Sequence, residues 1–276
     1  MRFPLILLKA VILAPILSTG YLSAAQANSA NNNGSQSTSG PGLFKPIVID
    51  FEDFDAGTFI TGDEWADLEG GLNISVESNR KQKADSTKDL PLRLYDTNCR
   101  PAGITDPSFQ SLPICSGGDG DLATGDYFGS KEQGNVLIIQ EDNSKRRNRD
   151  NLGAPDDERK GGTITFRFNQ AIQYISLGFL DFDEHAKGEF RFYSKADDTT
   201  AALNLSIKDV QAINPAFSGD NSLRLFENVQ EGMEVAFERL EVEFPGSGAI
   251  THLCFSPEIA PGGSHNWADE ADSCRW

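Results

Sequence analysis

The residues best suited to chemistry in this chain are carboxylates that occur in three short clusters. They lie within residues 119–126, 156–158 and 181–184, next to glycine, proline or the end of an apolar segment. Two carboxylates about 4 Å apart repel each other by about 1 kcal/mol in water, and by more where water is excluded. A folded cluster therefore favours a bound cation, and calcium prefers flexible loops that are rich in oxygen atoms.

None of the three clusters follows a known calcium-loop pattern. A loop of the helix–loop–helix type that starts at Asp121 has Ala123 and Gly125 where oxygen ligands are required. A loop that starts at Asp181 has Ala186 in place of the required glycine. Each cluster alone is therefore interpreted first as a solvated loop, with cation binding as the alternative.

The sequence contains no motif of a common hydrolase. It lacks a Gly-x-Ser-x-Gly elbow and a His-Glu-x-x-His pair. Asp181 and Glu184 could form a glycosidase pair, but the separation that such a mechanism requires cannot be read from sequence. His252 lies within an apolar segment and is interpreted as a packed imidazole rather than a general base. We therefore expect a noncatalytic protein, and a glycan-cleaving hydrolase stays open as a further hypothesis.

The cysteines favour disulfides over a metal centre. The chain has 4 cysteines and 3 histidines, with no Cys-x-x-Cys spacing, which disfavours zinc. An even number of cysteines is typical of a disulfide framework, although sequence alone allows three connectivities. The pairs closest in sequence predict bridges Cys99–Cys115 and Cys254–Cys274.

The first residues predict export. An apolar run over residues 5–17 follows Arg2 and precedes Ala25-Gln26-Ala27, which is the pattern of a signal peptide over residues 1–27. That run is too short to span a membrane, so membrane insertion is not expected. Residues 28–45 are rich in Ser, Asn and Gly and predict a disordered leader. We expect a secreted protein, periplasmic or extracellular, and its net charge of −17 argues against nucleic acid and anionic lipid as partners.

The elements that must position these residues are β-strands. Apolar side chains occupy every second position in 162–168, 189–193 and 240–244, while 47–51, 172–181 and 250–255 are more continuously apolar, as in strands covered on both faces. About ten such segments predict an all-β fold over residues 46–257, a two-sheet antiparallel β-sandwich that is jelly-roll-like. Turns are predicted between them, including one at Asn169-Gln170, and short helices are predicted at 62–68 and 207–212. Residues 258–276 are predicted to be a tail tied by a disulfide.

Six short segments carry a resemblance to a known group of proteins. They are Ile49-Asp50-Phe51-Glu52, Ala56-Gly57-Thr58, residues 134–141, residues 162–166, residues 244–250 and Leu253-Cys254-Phe255. The chain resembles exported bacterial β-sandwich domains of the kind found in PEP-CTERM-type surface proteins, and is similar to galactose-binding-like and carbohydrate-binding jelly rolls. The resemblance covers most of residues 46–257. Residues 258–276 show no Pro-Glu-Pro signal, apolar helix or basic tail, so release rather than surface anchoring is expected.

The resemblance implies a noncatalytic domain that binds an extracellular polysaccharide or matrix component and holds a structural Ca²⁺. In such modules an acidic residue of the first strand commonly joins later loop oxygens around the ion. Glu52 is the natural candidate, or else it faces water while Phe51 packs. The resemblance implies Asp50 or Asp53 as neighbours of Glu52 in the site, and the acidic cluster at 181–184 adds Asp181 and Asp183 as further candidate metal ligands.

Exposed aromatic rings are the usual platform for sugars, because a sugar offers a C–H surface as well as hydroxyl groups. The candidates in polar surroundings are Trp65, Tyr95, Tyr127 and Trp267, and core packing is the alternative for each of them. A competing hypothesis is a structural or adhesive extracellular protein that binds another protein. The basic run at 145–149 is interpreted first as part of a loop of mixed charge, and an acidic polysaccharide that binds there is the alternative.

Overall fold

Alternating apolar residues form β-strands throughout this computed structural model, which describes residues 46–68, 71–79, 91–117, 119–141, 154–182, 188–207, 210, 213, 219–227, 236–257 and 274. Within these residues there are 12 strands and three short 3-10 helices at Pro107–Phe109, Gly120–Leu122 and Asp126–Phe128. The strands are β1 Ile47–Ile49, β2 Phe59–Ile60, β3 Trp65–Leu68, β4 Leu72–Asn79, β5 Leu92–Asp96, β6 Asn135–Ile139, β7 Gly162–Phe182, β8 Glu189–Tyr193, β9 Leu203–Ser206, β10 Gly219–Glu227, β11 Phe237–Phe244 and β12 Ala249–Pro257.

One long strand, β7, belongs to both sheets. Its first half pairs with β4 and β11, and its second half pairs with β12 and β10. Sheet I therefore has the order β3-β4-β7-β11-β8-β9, and sheet II has the order β10-β7-β12-β6-β5-β2, with β1 also paired to β12. Every one of these pairings is antiparallel. The two sheets pack face to face, which confirms the predicted all-β sandwich.

The space between the sheets is filled mainly by phenylalanine. Phe168, Phe192 and Phe237 form edge-on contacts, and Phe179 contacts Phe190 and Phe182 with ring centroids 5.5 and 5.2 Å apart. Burying one such ring stabilises the fold by about 1.5–3 kcal/mol relative to leaving it in water. Most of the 18 phenylalanines are thus accounted for by packing rather than by ligand contact.

A second, smaller core lies on the outer face of sheet II. The chain between β5 and β6, residues 97–134, is here called the insertion. It packs Leu122, Ala123 and Phe128 against Val136 and Ile138 of β6, whose neighbours Leu137 and Ile139 face the main core. The outer face of the C-terminal half of β7 and of β12 is covered as well, so residues 175–182 and 249–256 are all buried. The prediction of strands covered on both faces is therefore confirmed for residues 175–181 and 250–255. The same prediction for residues 47–51 was wrong, because among the described strands β1 pairs with β12 alone and Val48 is 40% exposed.

Two local predictions were wrong. The predicted helix at 62–68 is a turn followed by β3, because the Glu64 carboxylate accepts hydrogen bonds from the N–H groups of Thr61 and Gly62 and Trp65 then pairs with Ile74. The predicted turn at Asn169-Gln170 is continuous strand. The Asn169 side chain accepts a hydrogen bond from the Asn73 N–H at 2.8 Å, which satisfies a polar group at the point where β7 passes from sheet I to sheet II. The second predicted helix lies largely outside the described residues.

Both predicted disulfides are present. Cys99 is bonded to Cys115 within the insertion, and Cys254 in β12 is bonded to Cys274. Their Cα–Cα distances are 4.9 and 5.7 Å, which is normal for disulfides. In the part of the chain that the structure describes, no helix is long and apolar enough to cross a membrane.

Candidate functional site

The fold brings the three acidic clusters of the sequence into one region, here called the acidic site. It contains two groups of three carboxylates, and within each group the nearest oxygens all lie within 4.8 Å of one another. Asp220 at the start of β10 joins the site because Gly219 pairs with Phe182, next to Asp181. The first group is Asp119, Asp156 and Asp157, and the second is Asp121, Asp181 and Asp220.

Backbone groups and neighbouring side chains hold the site in place. The Asp157 N–H donates to Asp119 Oδ2 at 2.8 Å, and the Gly248 N–H donates to Asp157 Oδ2 at 2.7 Å. The Tyr95 hydroxyl donates to the Asp119 carbonyl at 2.8 Å. Asn221 Nδ2 donates to two carbonyls of the same loop, those of residues 120 and 123. The insertion, the loop that precedes β7 and the start of β10 are therefore joined through these residues.

Glycines allow the insertion to approach so closely. Gly117 has a φ of +64°, and a Cβ there would lie 2.6 Å from the carbonyl oxygen of Pro155. A Cβ at Gly120 would lie 2.6 Å from Pro101 Cβ. Larger residues at these two positions would push Asp119 and Asp121 away from the carboxylates of residues 156 and 157.

Burial and mutual repulsion make the acidic site costly when it is fully charged and holds no cation. Desolvation and the neighbouring carboxylates raise the pKa of Asp119 to about 8. The same causes raise the pKa of Asp157, which is 4% exposed, well above its ordinary value, and the pKa of Asp121 is raised mainly by desolvation. Asp121 Oδ1 is buried and has no hydrogen-bond partner among the described residues. The site therefore needs either protons or a cation to be neutralised.

The acidic residues of the three clusters have different locations. Asp181 is buried within the acidic site, and Asp183 and Glu184 lie outside the described residues. Asp126 is exposed and belongs to neither group of carboxylates. Asp220, which the sequence reasoning noted only as part of a turn, is the member that was missed.

The predicted ligand set does not form one site. The Glu52 carboxylate accepts a hydrogen bond from the Asn135 N–H at the start of β6, and the Asp50 carboxylate accepts one from the Glu52 N–H at 3.2 Å. Asp53 is exposed. Among the described residues, none of these three belongs to a group that also contains Asp181. Asp181 is grouped instead with Asp121 and Asp220, while the Glu52 carboxylate holds the first residue of β6.

Asp50 and Glu52 instead line a polar cleft of about 280 Å³ on the outer face of sheet II. His252 and Thr251 of β12 and residues 131–134 of the insertion complete the lining. His252 is 4% exposed, and Thr251 Oγ1 lies 2.9 Å from its Nδ1. Desolvation lowers the pKa of His252 to about 3, so the imidazole is uncharged at neutral pH. The interpretation of His252 as a packed imidazole is confirmed by its burial.

Two of the predicted aromatic platforms are buried. Trp65 is packed against Phe51 and Phe54, and Tyr95 is covered by the insertion, so neither presents a ring to solvent. The expectation of exposed rings at these two positions was wrong, because both lie in strands with their side chains turned towards a core. Tyr127 is 45% exposed and makes an edge-on contact with Phe109, with ring centroids 4.9 Å apart. Trp267 lies outside the described residues.

Comparison with known proteins gives no match to a family model, a curated protein or a solved structure. The resemblance to exported carbohydrate-binding sandwiches therefore stays a prediction based on the sequence segments quoted above. A fold alone does not identify a function, so the function has to be argued from the acidic site and the polar cleft.

Proposed function

We propose that this protein is a secreted, noncatalytic β-sandwich that binds an extracellular polysaccharide or matrix component and is stabilised by a calcium ion in the acidic site. The observation that carries the calcium proposal is the convergence of six carboxylates from separate parts of the chain into two groups, with oxygens within 4.8 Å in each. Calcium takes six to eight oxygen ligands from flexible loops, and extracellular modules commonly bind it at about 10⁻⁴–10⁻³ M.

Without a cation, the negative charge of the acidic site can be neutralised only by protons that its carboxylates share. The pKa of Asp119, raised to about 8 by desolvation and by the neighbouring carboxylates, means that the site without metal is partly protonated at neutral pH. The pKa values of Asp121 and Asp157 are raised in the same direction. A divalent cation displaces those protons and binds the carboxylates in their charged form. The unpartnered Asp121 Oδ1 supports the cation, because a buried carboxylate oxygen without a partner carries a desolvation cost that coordination removes.

A structural role for the acidic site fits its burial. Asp157 and Asp181 are 4% and 6% exposed, and a glycosidase carboxylate must contact the bond that it cleaves. For this reason we place the hydrolase hypothesis, with Asp181 as its acid or base, behind the binding function. Turnover of a polysaccharide that is abolished in Asp181→Asn would reverse this order.

The binding function draws support from features near the insertion. The exposed ring of Tyr127 offers an apolar face, and the polar cleft, which Tyr127 does not line, offers hydrogen-bonding groups; sugars bind to both kinds of surface. The two disulfides are compatible with an oxidising, extracellular or periplasmic location.

A second candidate function is adhesion to another protein. Ile114 is 58% exposed and Tyr127 is 45% exposed, and both belong to the insertion that the Cys99–Cys115 bridge constrains. Exposed aliphatic and aromatic side chains on a rigid loop are typical of protein interfaces. Binding to a partner protein without any retention of glycans would favour this candidate.

The calcium proposal is tested by thermal unfolding of the full chain with calcium and with a chelator. We expect calcium at about one hundred times its dissociation constant to stabilise the protein by about 2.7 kcal/mol, which raises the Tm by about 5–10 °C. Asp121→Asn and Asp157→Asn should lose this rise. Asp126→Asn is the matched control, because Asp126 is an exposed carboxylate of the same insertion outside both groups, and it should keep the rise.

Two further outcomes decide the proposal. An equal Tm with calcium and with chelator at pH 8 would contradict the cation. The glycan part is tested on a glycan array with the same two buffers, where calcium-dependent retention supports the full proposal. If no glycan is retained in either buffer, the binding function is wrong and adhesion to a protein becomes the better candidate.

A further inference from the structure

We propose that the polar cleft binds a hydroxyl-rich ligand that carries a primary ammonium group, that is, an amino sugar or the end of an amino-sugar polymer. This inference rests on the proposed function, since it names the class of glycan and the site that recognises it. The cleft is separate from the acidic site, because the two share no residue. Its volume of about 280 Å³ suits one small ligand or the end of a longer one.

One wall of the cleft is built by β1 and β12. Val48 pairs with Cys254 and Ile49 with Leu253, and the next residue of each segment, Asp50 and His252, lines the cleft. The register of β12 against β7 shifts between Ile250 and His252. A side chain cannot be placed at the neighbouring Gly178, where a Cβ would lie 2.6 Å from His252 Cε1. The imidazole therefore rests directly on the backbone of β7.

The opposite wall is the end of the insertion. Lys131 and Glu132 are exposed residues that line the cleft, and Gly134 allows the Glu52 carboxylate to lie against its backbone. Gly134 has a φ of +64°, and a Cβ there would collide with the Glu52 carboxylate. The bond from the Asn135 N–H holds Glu52 in this position. This wall is therefore fixed by backbone geometry at Gly134 and is open to solvent at Lys131 and Glu132.

The lining selects for a positively charged ligand with hydroxyl groups. It contains three carboxylates, those of Asp50, Glu52 and Glu132, and one ammonium group, that of Lys131. His252 adds no charge, because burial keeps its imidazole neutral at pH 7. The excess of negative charge disfavours a uronic acid or a sulfated sugar, and the net charge of −17 acts in the same direction.

The ligand chemistry follows from these groups. Carboxylates form charge-assisted hydrogen bonds with an ammonium group, and these bonds are shorter and stronger than bonds between neutral groups. Carboxylate oxygens also accept hydrogen bonds from sugar hydroxyls. Acetylation of the amine removes the positive charge while it leaves the hydroxyl groups unchanged. Discrimination between free and acetylated amines is therefore the property that identifies this site.

The test is calorimetric titration of the full chain with two probes of equal length, a glucosamine oligomer and its fully N-acetylated counterpart. We expect the glucosamine oligomer to bind at least about tenfold more tightly than the acetylated one. Asp50→Asn and Glu132→Gln should each weaken glucosamine binding by about tenfold and leave binding of the acetylated oligomer unchanged. The matched controls are Asp126→Asn and Glu77→Gln, which remove a carboxylate elsewhere and should leave both affinities unchanged.

Each other result overturns the inference in a recognisable way. Equal affinity for the two oligomers, or a preference for glucosamine that Asp50→Asn and Glu132→Gln do not reduce, would disprove the amine site and leave the proposed glycan binding intact. Failure to bind either oligomer, together with an empty glycan array, would disprove both. The Tm of each variant and its rise with calcium show whether the variant is folded, so loss of binding cannot be confused with loss of structure.

Discussion

The acidic site and the outer face of sheet I are both rich in charge, but they neutralise it in different ways. On sheet I, Arg167, Arg191 and Arg239 lie among the carboxylates of Glu77, Glu241 and Glu243, and we call this set the ion-pair ladder. Arg191 Nη1 lies 3.1 Å from Glu241 Oε2, and Arg167 Nη2 lies 2.9 Å from Glu77 Oε1. In the acidic site, by contrast, carboxylates face one another. The ladder is neutralised within the protein, whereas the acidic site depends on protons or ions from the solvent.

Strand register explains the ladder. Glu241 of β11 pairs with Arg191 of β8, so these opposite charges lie directly across from each other, and Arg239 pairs with Tyr193. The Arg239 guanidinium also lies over the Tyr193 ring, 3.6 Å from its centroid. Cross-strand pairs of this kind stabilise a sheet by about 0.2–1 kcal/mol each. The acidic site has no such register, because its members come from loops and strand ends that only the folded chain brings together.

The largest effect on stability is expected from removing the disulfide of the insertion, which carries part of the acidic site. Replacing both Cys99 and Cys115 by serine removes a bridge with a sequence separation of 16 and should lower the free energy of unfolding by about 3 kcal/mol. Because the bridge constrains the insertion that carries Asp119 and Asp121, the rise in Tm with calcium should also become smaller. Denaturant unfolding with and without calcium measures both effects. An unchanged calcium response would mean that the acidic site does not depend on the bridge.

A smaller effect is expected from pH in the presence of chelator. The pKa of Asp119 is raised from 3.8 to about 8 in the folded protein, so the folded state binds this proton more tightly than the unfolded state. The contribution is therefore fully present below about pH 4 and is lost as the pH rises towards about 8. We expect the Tm in chelator to fall by about 5 °C between pH 5 and pH 8. Saturating calcium should abolish this fall, and a Tm that rises over the same range in chelator would contradict the assignment.

The smallest effect on stability is expected from removing one carboxylate of the ion-pair ladder. Glu241→Gln removes the carboxylate that pairs with Arg191 and accepts a hydrogen bond from the Tyr193 hydroxyl at 2.9 Å. The Glu241 side chain is 18% exposed, and we expect a loss of about 1 kcal/mol in the free energy of unfolding, with no change in the calcium response. Glu77→Gln is the matched control, because Glu77 is 61% exposed and exposed pairs contribute little. Chemical denaturation of the two variants in low and high salt measures the loss in free energy of unfolding for each and shows how much of it is electrostatic.

Much of the fold could be predicted from sequence because it depends on local patterns. The alternation in 162–168 and 240–244 identified β7 and β11, and proximity in the chain identified both disulfides. The strands β2 and β5 were not predicted, because β2 has only two residues and in β5 the buried Tyr95 directly follows Leu94 and interrupts the alternation. Trp65 was misinterpreted because its neighbours Glu64 and Asp67 are polar, although β3 turns the indole inward.

The acidic site could be predicted only in pieces. Asp119, Asp157 and Asp181 were each identified in a separate cluster, but their proximity depends on how the insertion packs on sheet II. Asp220 carried one usable signal, its place in the turn Ser218-Gly219-Asp220-Asn221, and nothing in that turn indicates a carboxylate partner. Glu52 was predicted to bind a metal, but its carboxylate accepts a hydrogen bond from the Asn135 N–H. No sequence pattern indicates this contact.

The long strand β7 has a mechanical consequence. Its 21 residues are shared by the two layers, and at about 3.3 Å per residue an extended segment of this length would measure about 70 Å. Neither sheet can separate from β7 without breaking hydrogen bonds to a strand that also belongs to the other sheet. Heat or a pulling force should therefore disrupt both layers in a single step, with no long-lived half-opened form.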